Sequence, residues 1–251
     1  MLDRTLIEIC VASVDDAVAA VTAGADRLEV NAALSLGGLT PSTGLFAEVR
    51  RRVSAPLIAM VRPRPGGFCY SDTDFEVMLL DSAALLAAGA DGLAFGVLTS
   101  AGEIDVGRCR TFRAACGSRA AVFHRAFDVT PDPLAALEEL IELQFTRVMS
   151  SGQAESASAG SELIAEIVRR AAGRIEVLAA GGINPTNVAD VVARTGCIQV
   201  HASVRTTGHD PSVAARPLVR FGSTGAASED RFERTDAVAV AALRAAAERA
   251  S

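Results

Sequence analysis

The sequence predicts a single (β/α)8 barrel of the TIM type. Eight strand-like apolar runs follow one another, most of them succeeded by an amphipathic helical stretch. Strict strand-then-helix order builds a parallel sheet with helices outside it. Eight such units in 251 residues is the count of a closed barrel. The first strand is not followed by the GxGxxG of a doubly wound dinucleotide fold.

The strand-like runs are LIEIC (6–10), DRLEVNA (26–32), LIAMVR (57–62), DGLAFGV (91–97), AAVFH (120–124), TRVMSS (146–151), IEVLAAG (175–181) and CIQVHAS (197–203). Between them lie amphipathic stretches such as VDDAVAAVTAG, STGLFAEVRRRV, DTDFEVMLLDSAALLAAG and DPLAALEELIEL. Ser13, Ser42, Ser71 and Asp132 stand at helix N-cap positions, and Pro133 sits just inside a helix start. Glycines at 24, 89, 117, 173 and 196 precede strands, where a helix exit calls for positive φ. The rhythm breaks over 204–235, which reads as a long loop between strand 8 and the last helix, DAVAVAALRAAAERA. Such a loop is either a solvated surface segment or, given Arg216, Arg220, Arg231 and Arg234, a lid or subunit contact. No linker divides the chain, so 1–251 reads as one domain.

Composition narrows the function classes. Half the residues are hydrophobic, and 24 basic against 30 acidic residues leave a net charge of −6. The longest basic run is Arg50–Arg52, so the electrostatic footprint of nucleic-acid binding is missing. No apolar stretch reaches membrane-spanning length, and the N-terminus lacks a signal-peptide core. Five cysteines, odd in number and without CxxC, suit reduced thiols in a cytoplasm. The chain has no lysine, which removes Schiff-base aldolase mechanisms.

A TIM barrel gathers its chemistry at the C-terminal strand ends, and unusual polar residues collect there. Glu8 and Cys10 end strand 1, Glu29 and Asn31 strand 2, and Arg62 and Arg64 leave strand 3. Strand 5 runs into His124, Arg125 and Asp128, strand 6 gives Ser151, strand 7 opens into Gly181 and Gly182, and strand 8 carries His201. Glu8, Glu29, His124, Asp128 and His201 are the candidates for proton transfer. Arg62, Arg64, Arg125, Ser151, Gly181 and Gly182 are the candidates for holding a phosphate or carboxylate. Prolines 63 and 65 stiffen the arginine-bearing exit in RPRPGG. The alternative is an internal ring in which Arg62 and Arg64 neutralise Glu8, Glu29 and Asp128. Among the thiols, Cys109 and Cys116 lie about two helical turns apart and Cys197 begins a strand at the far end. Cys10 and Cys69 alone have access to the mouth, either as Cu(I) ligands or as small apolar side chains.

The segments EICVASVDDA, GADRLEVNAALSLGGLTPS, RPRPGGFCYSD, FHRAFDV, RVMSSGQ, AAGGINPTNV and QVHAS together resemble the CutC copper-homeostasis family over nearly the whole chain. The resemblance implies a cytoplasmic TIM barrel forming a homodimer or higher homo-oligomer, and a role in handling copper as Cu(I). It carries Cys10 and Cys69 over as metal ligands, while Val11 and Asn31 stand where relatives often have further cysteines. The motif residues Glu8, Arg27, Glu29, Arg62, Arg64, Asp72, His124, Arg125, Asp128 and His201 furnish an enzyme-like pocket. Two functions follow: copper binding at the barrel mouth, or catalysis on a small phosphorylated or carboxylated metabolite.

Overall fold

The computed structural model describes residues 4–221 and 228–249. Strands β1 (Leu6–Val11), β2 (Arg27–Val30), β3 (Leu57–Met60), β4 (Gly92–Phe95), β5 (Ala120–Phe123), β6 (Arg147–Ser150), β7 (Glu176–Ala180) and β8 (Gln199–Ala202) close in sequence order into a parallel barrel, β8 pairing back to β1. Helices α1 (Val14–Thr22), α2 (Thr43–Arg52), α3 (Asp72–Ala87), α4 (Val106–Cys116), α5 (Pro133–Glu142), α6 (Ser161–Ala171), α7 (Val188–Thr195) and α8 (Ala237–Glu248) surround it. The expected barrel is therefore present. No described helix is long and apolar enough to cross a membrane.

The helix starts are set by the residues that the sequence marks. Ser13, Ser42 and Ser71 accept hydrogen bonds from the backbone of Asp16, Leu45 and Asp74, and Asp132 accepts from Leu134 and Ala135. At α3 the exchange is reciprocal, since the Asp74 side chain returns a bond to Ser71 N–H. Each cap contributes about 1 kcal/mol.

Alternation along each strand sorts side chains into two cores. The outward set, including Ile7, Ile9, Leu28, Val30, Phe95 and Phe123, is fully buried beneath the helices. The inward set is divided. Two small apolar groups, Ile58/Met60/Ala94/Val122 and Met149/Leu178/Ala180, fill the side formed by β3 to β7. The inner wall of β8, β1 and β2 is polar: Glu8, Cys10, Arg27, Glu29, Gln199 and His201, all buried. Register brings them together, with Glu8 opposite Arg27 and His201, and Cys10 opposite Glu29.

One element differs from the sequence reading. Part of the expected long loop at 204–235 is an antiparallel pair, β9 (Arg205–His209) with β10 (Arg231–Thr235). Its side chains are mostly exposed, so no apolar alternation marks it; backbone bonds and the ion pair of Arg205 with Glu233 hold its register. Thr235 N–H donates to Asp16 Oδ1 at 2.7 Å, tying the hairpin to α1. The middle of this segment, 222–227, lies outside the described residues.

Candidate functional site

The barrel's polar inner wall rises into a cavity of about 110 Å3 at the C-terminal strand ends. At its base Arg27 pairs with Glu8 through Nε, and its Nη2 donates to Gln199 Oε1 at 2.9 Å. The second Glu8 oxygen meets His201 Nδ1 at 2.7 Å. A carboxylate only accepts, so Nδ1 carries the hydrogen and Nε2 faces the cavity. There His201 Nε2 lies 2.7 Å from Cys10 Sγ. Glu29 Oε2 lies 3.9 Å from both the sulfur and His201 Nε2, and accepts from Asn31 Nδ2 at 2.9 Å. The candidate ligand atoms of Cys10, Glu29 and His201 all fall within 4.8 Å of one another.

Charge is unevenly distributed over this chain of contacts. Burial alone would raise Glu8, but Arg27 and His201 outweigh it and hold its carboxyl well below the usual range. Burial pushes Glu29 up, with His201 opposing. Burial works against a charge on His201, yet Cys10 and Glu29 beside it leave its pKa well above the ordinary histidine value. The Cys10 thiol is pushed up by burial, with His201 pulling the other way.

The opposite side of the cavity is built by β3, β5 and the loop 31–40. His124 Nδ1 accepts from Ala126 N–H at 3.2 Å, and burial followed by the nearby Arg62 charge pushes its pKa down to about 3. It is therefore neutral, with its proton on Nε2. Arg62 spends its guanidinium on backbone carbonyls of Leu36 (3.1 Å), Gly38 (3.2 Å) and Gly66 (2.7 Å) and stacks over Phe68. Gly38 is required here: its φ is +83°, and a Cβ would fall 2.5 Å from Asn31 Oδ1. Four buried atoms around the cavity have no hydrogen-bond partner: Glu29 Oε1, Asn31 Oδ1, Arg62 Nε and His124 Nε2.

A neighbouring corner joins the strand 5 exit to strands 6 and 7. Asp128 pairs with Arg125 Nε at 2.7 Å and accepts from Ser150 Oγ (2.7 Å), Ser151 Oγ (2.9 Å) and Ser151 N–H. Arg125 Nη2 donates to Ser151 Oγ at 2.7 Å, while Gly181, at φ +102°, leaves room for both side chains. Gly182 accepts from the side chains of Asn184 and Asn187 through its carbonyl. Asp128, Ser151, Gly181 and Gly182 thus hold one another, and of this corner only Arg125 reaches the cavity wall.

The ring in which Arg62 and Arg64 neutralise the three carboxylates does not form. Glu8 takes Arg27 and Asp128 takes Arg125, because those partners lie opposite or within one turn. Arg64 instead pairs with Asp74 at 3.0 Å and donates to the Cys69 carbonyl at 2.9 Å, stapling the RPRPGG loop to the start of α3. Cys69 is exposed and does not line the cavity that Cys10 lines. The sequence reading also passed over Met60 and Met149, whose side chains line that cavity. Only their inward parity, on strands otherwise apolar inside, distinguished them from ordinary core.

A protein-family model described as the CutC family matches residues 5–206. A CutC family protein of Treponema denticola is 47% identical over 227 residues, covering 90% of this chain and 92% of the relative. The human copper homeostasis protein cutC homolog is 42% identical over 242 residues, with 96% and 89% covered. Among solved structures, the CutC protein of Streptococcus agalactiae superposes with a TM-score of 0.74 at 31% identity, covering 78% of this chain and 97% of that one. Phosphoribosylanthranilate isomerase from Thermotoga maritima superposes with a TM-score of 0.58 at 12% identity, a likeness of fold alone.

Proposed function

Because this chain belongs to the CutC family, we propose that it binds Cu(I) as cargo at the barrel mouth, with Cys10 and His201 as the principal ligands. The observation that carries this reading is the convergence of Cys10, His201 and Glu29 in one buried cavity. Thiolate and imidazole are ligands that Cu(I) accepts readily, and thioethers are too. Met60 and Met149 line the same cavity and extend the soft donor set. Glu29 is a harder donor, suited to balancing charge or receiving the thiol proton that metal binding must release. Glu8 fixes the His201 ring through Nδ1, as a carboxylate behind a ligating imidazole does. Cys69 has no part in this ligand set.

The test is Cu(I) affinity by anaerobic competition with a chromophoric chelator. Cys10→Ser is expected to abolish tight binding and Cys69→Ser to leave it unchanged. Tight binding that survives Cys10→Ser overturns the assignment. A second reading, binding or turnover of a small anionic metabolite, draws support from the unpaired polar atoms across the cavity.

A further inference from the structure

Four arginines are buried among the described residues: Arg27, Arg62, Arg147 and Arg244. Arg27 is paired with Glu8, Arg147 with Glu176 and Arg244 with Asp26. Arg62 alone among them has no carboxylate within ion-pairing distance, and its fixed partners are neutral carbonyls. A buried guanidinium with no counter-charge carries an uncompensated desolvation cost of several kcal/mol. Its Nε N–H is buried and unpaired, and the residue lines the cavity. The neutral His124 on the same wall presents a second unpaired donor, Nε2. Glu29 and Asn31, which line the same cavity, hold two unpaired acceptors, Oε1 and Oδ1.

We propose that this cavity binds a short 2-hydroxycarboxylate, its carboxylate held by Arg62 Nε and His124 Nε2 and its hydroxyl donated to Glu29 or Asn31. The proposal rests on the small-anion reading of the cavity and narrows it to a class. Two donors match two carboxylate oxygens, whereas a phosphate brings more acceptors than this wall can satisfy. The two acceptors require a ligand that also donates, which a simple fatty acid does not. Size sets the chain length. A dry cavity of about 150 Å3 holds benzene, so about 110 Å3 admits an acid of two or three carbons.

The test is calorimetric titration of the full, metal-free chain, with a copper chelator present throughout so that the outcome is independent of the copper reading. The probes are glycolate, both enantiomers of lactate, propionate, 1,2-propanediol and inorganic phosphate. Glycolate or one lactate enantiomer is expected to bind, to raise the melting temperature, and to outcompete propionate and the diol. Arg62→Met and His124→Phe should each weaken binding about 10- to 100-fold, the effect of losing one bond to a charged group. Arg62→Lys, which keeps the charge without the Nε donor, serves should Arg62→Met fail to fold, and should weaken binding likewise. Tighter binding of phosphate refutes the carboxylate class while sparing the small-anion reading. Absence of binding by every anion refutes both. Hydroxy-acid binding unchanged in His124→Phe and in either Arg62 variant refutes the location.

Discussion

Replacing Arg27 with methionine tests the polar wall of the barrel most directly. Arg27 and Glu8 side chains are 6% and 1% exposed, so the substitution strands an ionised carboxylate in the interior. Breaking a buried pair from one side costs about 3–5 kcal/mol. The bond from Nη2 to Gln199 is lost as well, adding about 1 kcal/mol. The total of about 4–6 kcal/mol is a large share of the 5–15 kcal/mol typical of a domain. At about 2–4 °C per kcal/mol for a chain of this size, the melting temperature should fall by about 8–24 °C. Urea unfolding followed by circular dichroism measures the loss. The double variant Glu8→Gln/Arg27→Met should recover most of it, because the amide oxygen still accepts from His201 Nδ1 and no carboxylate is left at position 8 without its arginine. A single-variant loss below about 1 kcal/mol, or a double variant no better than the single, would refute the reasoning and show that His201 alone compensates Glu8.

Other expectations follow from neighbouring contacts. His124 is buried neutral with its pKa pushed down to about 3, so below the unfolded value of about 6.5 the unfolded chain binds a proton that the folded one refuses. Its effect is nil above that value and lowers stability by about 1.4 kcal/mol per pH unit down to about pH 3; His124→Phe should flatten the acid limb of a stability–pH curve, and an unchanged limb would count against a neutral His124. Gly38→Ala forces a Cβ against Asn31 Oδ1 in left-handed backbone, which should cost about 1–3 kcal/mol by urea unfolding and weaken copper binding; full stability would mean that the loop 31–40 shifts freely. Asp128→Asn removes the charge that gathers Ser150 and Ser151 and should cost about 1.5–3 kcal/mol. Hydrogen exchange at 150–154 should rise with it, and unchanged protection there would show that the corner is held by other contacts.

The barrel was legible because strands buried on both sides write themselves as apolar runs, and because Ser13, Ser42, Ser71 and Asp132 cap through their own side chains. The hairpin of β9 and β10 was not, since a strand with neither face buried carries no period. The places of Glu29, His124 and His201 on their strands pointed to the cavity they line, whereas Glu8 lies beneath it and outside its lining. The partners of these residues were not legible, because register decides them: Glu8 meets Arg27 across β1 and β2, and nothing in one sequence states that offset. Loop direction misled in the same way. Cys69 and Arg64 sit two and seven residues from the cap of α3, and that helix start draws the loop outward from the mouth.

The polar wall also bears on how the chain reaches its native state. Glu8 and His201 are separated by 193 positions, and Gln199 by 172 from Arg27. During synthesis the first two strands emerge carrying charges whose full set of partners is among the last pieces of the barrel to leave the ribosome. A nascent half-barrel would have to bury Glu8 and Arg27 without His201 and Gln199, so early intermediates gain little by closing around that wall. Contacts this distant defer their reward until a long loop has been closed. Sealing of the seam between β8 and β1 therefore completes the partner set of Glu8 and Arg27, and division of the chain into two separate halves would part these residues from His201 and Gln199.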